Sequence, residues 1–77
     1  MDQVRVFLRS PLFSPGSSGH VPANAVILDA TVSDRPSGGV LLAVTGYADD
    51  QDRPVEGAPC SLFIPFSKID HMLVVAS

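Results

Sequence analysis

The sequence predicts an all-β domain: a small, five-stranded, strongly bent barrel with no substantial helix. Three observations carry that expectation. Apolar residues recur with period two or in short β-branched runs, and no segment has helical periodicity. Turn chemistry rich in Gly and Pro separates the runs. The last two runs, in SLFIPFSKIDHMLVV (61–75), are divided only by the short polar break Ser67–Asp70. One 3₁₀-like turn there would let the chain round a barrel corner and continue as a strand elsewhere, instead of forming a hairpin.

The first strand is expected over Gln3–Arg9. Val4, Val6 and Leu8 form its core face, and Arg5, Phe7 and Arg9 the opposite face. Residues 10–24, SPLFSPGSSGHVPAN, form a long loop of Pro, Gly and Ser, and loops of that length are usually functional or disordered. Leu12 and Phe13 argue that packing pins part of it. Ala25–Ser33 is the second strand and Val40–Tyr47 the third, joined by the turn DRPSGG (34–39) into a hairpin. Gly46 inside the third strand marks a bulge or sharp bend. Residues 48–59 form a polar, acidic turn region. Cys60–Phe66 is the fourth strand, with Pro65 at an edge or bulge because it cannot donate to a ladder. Ile69–Val75 is the fifth. Several strands are apolar on both faces: Val40, Leu42 and Val44 line one side of the third while Leu41 and Ala43 line the other. In the last strand Ile69, Leu73 and Val75 are expected on one face, Met72 and Val74 on the other.

Composition narrows the function classes. Seventy-seven residues make one domain with a small core, which disulfides, a metal or oligomerisation would ordinarily reinforce. Cys60 is the only cysteine, so no internal disulfide forms, and a lone Cys fits a reducing compartment. His20 and His71 have no zinc-ligand spacing with it. Oligomerisation remains, and 45% apolar residues fit a chain that buries surface against itself as a dimer or ring. A net charge of −3 gives little overall attraction for phosphate backbones or anionic lipid. No apolar run is long enough to cross a membrane as a helix. The start MDQVRVFLRS is unlike a signal peptide, which makes the expected location cytoplasmic.

Candidate chemistry is sparse. Asp49, Asp50, Asp52 and Glu56 cluster, but without calcium-loop spacing they suit a solvated loop better than a metal site. His20, His71 and the serines could be assembled into a triad on paper, yet no Gly-x-Ser-x-Gly elbow exists. Cys60, among apolar and acidic neighbours, suits a buried small hydrophobe. The SPGSSGH run lacks the Lys and following helix of a phosphate loop. No catalytic residue, metal ligand or cofactor is therefore expected. The distinctive surface is Arg5, Phe7 and Arg9 on one strand face, a candidate partner-binding strip, because Arg and aromatics are enriched in interface hot spots. Arg stems covering apolar surface explain the same pattern.

FIPFSKIDHMLVV resembles the fourth strand, single 3₁₀ turn and fifth strand of Sm-like barrels, and a similar IP-x-SKI run is found in the β-domain of small mechanosensitive channels. The resemblance covers 61–75, and 25–47 only as strand order. It implies a small barrel fold; RNA binding carries over only as the second reading, for which Lys68, Arg5 and Arg9 are the candidate contacts. The family's RNA binders carry an Asp-x-x-x-Asn-type run after the second strand and an Arg-Gly or Lys-His pair near the fourth. Here Gly46-Tyr47-Ala48-Asp49-Asp50 and Phe66-Ser67-Lys68 stand in those regions, and a strand replaces the family's N-terminal helix. The leading expectation is thus a non-enzymatic protein-interaction or assembly module. An Sm-like RNA-binding regulator is the alternative, and a small hydrolase or metal-binding protein a distant third.

Overall fold

The computed structural model describes residues 2–11 and 24–76. The SPGSSGH run, with His20, and Leu12 and Phe13 lie outside those residues. The described chain is nearly all strand: β1 Gln3–Leu8, β2 Ile27–Asp34, β3 Gly39–Ala48, β4 Pro54–Val55, β5 Cys60–Pro65 and β6 Ile69–Ala76. The all-β class follows, with one strand more than expected, because two residues of the acidic turn region pair with Tyr47 and Ala48 as β4.

All pairings are antiparallel, and the sheet runs β4-β3-β2-β1-β6, with β5 also on β3. β2 occupies one edge of β3, so β4 and β5 share the other, at residues 47–48 and 39–44 respectively. β5 and β6 therefore stand at opposite edges of a sheet five strands wide. Flat, those edges would lie roughly 19 Å apart at the usual strand spacing. Only the 3₁₀ turn Phe66–Lys68 joins them, and even extended chain of that length spans no more than about 14 Å. The sheet must curl to bring its edges together, and the molecular extents of 28 × 23 × 21 Å describe a curled sheet. Two backbone bonds hold the corner: Phe66 N–H donates to Gly38 C=O at 3.0 Å, and Arg9 N–H to Lys68 C=O at 2.8 Å. Among the described residues no ladder joins β5 to β6, so the curl stops short of a closed barrel.

The corner falls one residue earlier than the polar break suggests. Ile69 already pairs with Leu8, so the turn is completed at Lys68 and Asp70 belongs to a strand. The turn DRPSGG tightens through its glycines. Gly38 has φ +86°, and a Cβ on Gly39 would strike the carbonyl oxygen of Ile64. The bend at Gly46 is present as a register shift between Asp29 and Ala30 on β2, opposite Gly46 and Val44. Pro65 sits in an edge strand, opposite Gly39.

The core forms where the strand faces converge inside the curl. Val4, Val6, Val40, Leu42, Val44 and Ile64 are all at most 2% exposed. β6 departs from simple alternation. Leu8 pairs with Ile69 but Phe7 with His71, which leaves Asp70 as an extra residue. That bulge shifts the phase, so Met72 joins Ile69 at the core while Leu73 and Val75 face out. No helix among the described residues is long and apolar enough to cross a membrane.

Candidate interaction surface

Strand β1 positions the candidate strip. Its even-numbered residues point into the core, so Arg5 and Phe7 emerge on the outer face between β2 and β6. Register then supplies their neighbours. Arg5 is opposite Asp29 on β2, and Phe7 is opposite His71 on β6. Arg5 Nε donates to Asp29 Oδ1 at 2.8 Å, and Nη2 to Asp52 Oδ1 at 2.7 Å. These carboxylates hold the guanidinium still more firmly in its charged form. In return Arg5, through its hydrogen bonds and charge, lowers the Asp52 pKa. The Phe7 ring stacks on His71 at 4.3 Å and 10°, with Arg5 Cζ 6.0 Å from the Phe7 centroid. His71 Nδ1 lies 2.9 Å from Asp70 Oδ2. Arg5, Phe7 and His71 line a groove of about 580 Å³, with Leu8, Val26 and Ile27 as its further apolar lining and Asp50, Gln51, Asp52 and Asp70 as its polar lining.

The three strip residues thus divide. Arg5 and Phe7 belong to one groove, while Arg9 is exposed at the corner, tied to Lys68 through its backbone. Of the residues proposed for nucleic-acid contact, Arg9 and Lys68 are brought together, while Arg5 is turned to two carboxylates. Position in sequence hides the Arg5–Asp52 and Phe7–His71 contacts, since both depend on pairing across long separations. The Arg5–Asp29 pair was within reach as an opposite-charge cross-strand pair once the register was known.

The acidic turn is a self-contained structure. Asp49 Oδ1 accepts the N–H groups of Gln51 and Arg53, each at 2.9 Å, and Oδ2 accepts Arg53 Nε at 3.0 Å. These donors lower the Asp49 pKa, the Arg53 N–H most of all. Asp52 takes φ +60° within this turn, and its carboxylate accepts from Arg5. Among the described residues no group of three or more His, Cys, Asp or Glu is placed to hold a metal ion. Cys60 is half-buried at the head of β5, 3.2 Å from the Tyr47 hydroxyl, which also donates to Ala58 C=O at 2.8 Å. Burial, and then the thiol, push the Tyr47 pKa up.

The sheet edges are the second surface. Among the described residues, Phe63, Phe66, Leu73, Val74 and Val75 are the exposed large apolar ones, each at least 48% exposed, and all lie on β5, β6 or the corner between them. Backbone polarity at the β6 edge follows from register. Leu8 N–H donates to Val26, so the even-numbered residues of β1 turn their N–H groups to β2. Val4 and Val74 are therefore a non-hydrogen-bonded pair, and the N–H and C=O of Val74 face away from β1, on the side where no described strand pairs. No protein-family model, curated protein or solved structure matches the chain.

Proposed function

We propose that this chain is a non-enzymatic assembly module, a small bent β-sheet that binds copies of itself edge to edge as a dimer or ring. One observation carries the reading: among the described residues, the exposed large apolar side chains gather on the two edge strands and the corner joining them. An unpaired edge is a template for another strand, and edges are ordinarily blunted by charge or Pro. β5 is blunted by Pro65, but Met72–Ala76 carries neither charge nor Pro. Pairing of equivalent edges gives a dimer, and pairing of unlike edges gives a ring. The 3₁₀ corner between the two outermost strands supports the Sm-like character of the module, and the cytoplasm suits its single thiol.

Sedimentation equilibrium at micromolar concentration tests the reading, with Val74→Pro as the variant. Proline removes the outward N–H of residue 74 and leaves the β1 ladder its bonds. The expected result is an oligomer for the parent chain and a folded monomer for Val74→Pro. A parent chain that stays monomeric would overturn the reading.

The RNA-binding alternative has one observation in its favour, the adjacency of Arg9 and Lys68 at the corner. Two cations neutralise few phosphates. The carboxylates around Arg5 also make the neighbouring groove repulsive to a nucleic-acid backbone, which ranks this reading second.

A further inference from the structure

We propose that Arg9 and Lys68 of one copy dock against Asp50 and Asp70 of a second copy, so that charge as well as apolar edges selects the assembly partner. The proposal rests on the self-association argued above and names the contact that orients it.

One chain carries both halves of a complementary pair of charged patches. Asp50, Asp52 and Asp70 line the groove with Arg5, and Asp29 pairs with Arg5, which makes a net of −3 for the five residues. That equals the net charge of the whole chain, so the remaining acidic and basic side chains cancel. Of the five basic residues, Arg5, Arg35 and Arg53 are spent on carboxylates of their own chain. Arg9 and Lys68 are outside every ion pair among the described residues, and the Arg9 N–H bond to Lys68 C=O places them side by side. Both are exposed. Among the described residues Asp50 is likewise outside the ion pairs, and Asp70 pairs with the neighbouring His71. A molecule with an acidic groove beside a basic corner is complementary to its own copy, either about a two-fold axis or head to tail. Both patches flank the start of β6, next to the edge whose apolar residues need cover. Charges at the rim of such an edge set register and exclude wrong partners more than they add affinity.

A charge-swap experiment decides the point, read by sedimentation equilibrium at 50 and 500 mM NaCl, with circular dichroism to confirm folding. The parent assembly should weaken as salt rises, because exposed pairs are screened. R9E/K68E and D50K/D70K should each weaken self-association, roughly tenfold or more. An equimolar mixture of the two should restore it as a mixed assembly. If reversal unfolds either chain, R9Q/K68Q and D50N/D70N take its place, and loss of the salt dependence is the expected result. An assembly that survives both reversals with unchanged salt dependence would overturn this contact while leaving edge-to-edge association standing. A parent chain that is monomeric at every concentration would overturn both, and one that is monomeric but binds a hexa-arginine peptide would assign the groove to a foreign basic segment.

Discussion

Replacing Gly39 with Ala tests whether the curl of the sheet is held at the corner between β3 and β5. A Cβ on Gly39 would collide with the Ile64 carbonyl oxygen and lie 2.7 and 2.9 Å from Cζ and Cε1 of Phe63. The ring is half-exposed and can swing away. The carbonyl cannot, because Val40 pairs with Ile64 in the β3–β5 ladder. Restoring van der Waals distance requires the strands to part by roughly an ångström. Such overpacking costs about 1–3 kcal/mol, and a ladder bond lost beside it adds about 1 kcal/mol. A total near 2–4 kcal/mol corresponds to a fall in Tm of roughly 8–32 °C for a domain of this size. Gly38 is the control, since nothing lies within 4 Å of a Cβ there and only its φ of +86° is at issue. Gly38→Ala should cost about 1–2 kcal/mol, and Gly38→Asn less, because Asn tolerates positive φ. At Gly39, Asn should give no relief. The assay is urea unfolding followed by circular dichroism. A Gly39→Ala chain within about 0.5 kcal/mol of the parent, or one rescued by Asn, would refute the collision.

Other outcomes are equally specific. The Asp49 and Asp52 pKa values are lowered in the fold, so their stabilisation is present above the ordinary Asp value of about 4 and is lost as pH falls below it. Tm should be level from neutral pH down to about 5 and then drop, and Asp49→Asn should flatten that drop in a thermal-melt series. Leu42→Ala empties a fully buried site and should cost about 2–5 kcal/mol by urea titration. Phe7→Ala removes the ring against His71 and should cost about 0.5–1.5 kcal/mol beyond its lost buried area, whereas a neutral result would mean that the stack does not persist in solution. Filter binding should detect no tight complex with single-stranded RNA at about 150 mM salt, and a nanomolar constant lost in Lys68→Ala would reverse the order of the two functional readings.

What the sequence made legible was the local part of the fold. Period two along Gln3–Arg9 placed Val4, Val6 and Leu8 in the core, because alternation is a property of a single strand. The glycines of DRPSGG and the Pro in β5 likewise carry their constraints in their own covalent geometry. What was hidden depends on pairing. β4 is two residues containing a Pro, and it exists only because Tyr47 and Ala48 have a free edge to offer. The outward turn of Leu73 comes from the extra residue Asp70, and a bulge changes phase without any mark in the apolar pattern. Arg5 read as one of three residues of a contact strip because its partners, Asp29 and Asp52, lie 24 and 47 residues away. The Arg9–Lys68 contact depends likewise on the corner having brought the two ends of the sheet together.

The pairing of β1 with both β2 and β6 also sets the order in which this sheet can be completed. β1 comes first in sequence, but one of its two ladders is supplied by the last described strand, where Gln3 meets Ala76. During synthesis β1 and β2 must wait with an open edge until β6 emerges, and such non-local closure places folding in the millisecond-to-second range. The same adjacency brings residues 3 and 76 within one strand spacing, so a short linker could join them. A chain permuted in that way and reopened in the exposed segment 56–57 would turn the β6–β1 ladder into a hairpin. The same cut sets β5 far from β3 along the chain, so one non-local ladder replaces another, and the permuted chain should fold within the same time range as the parent.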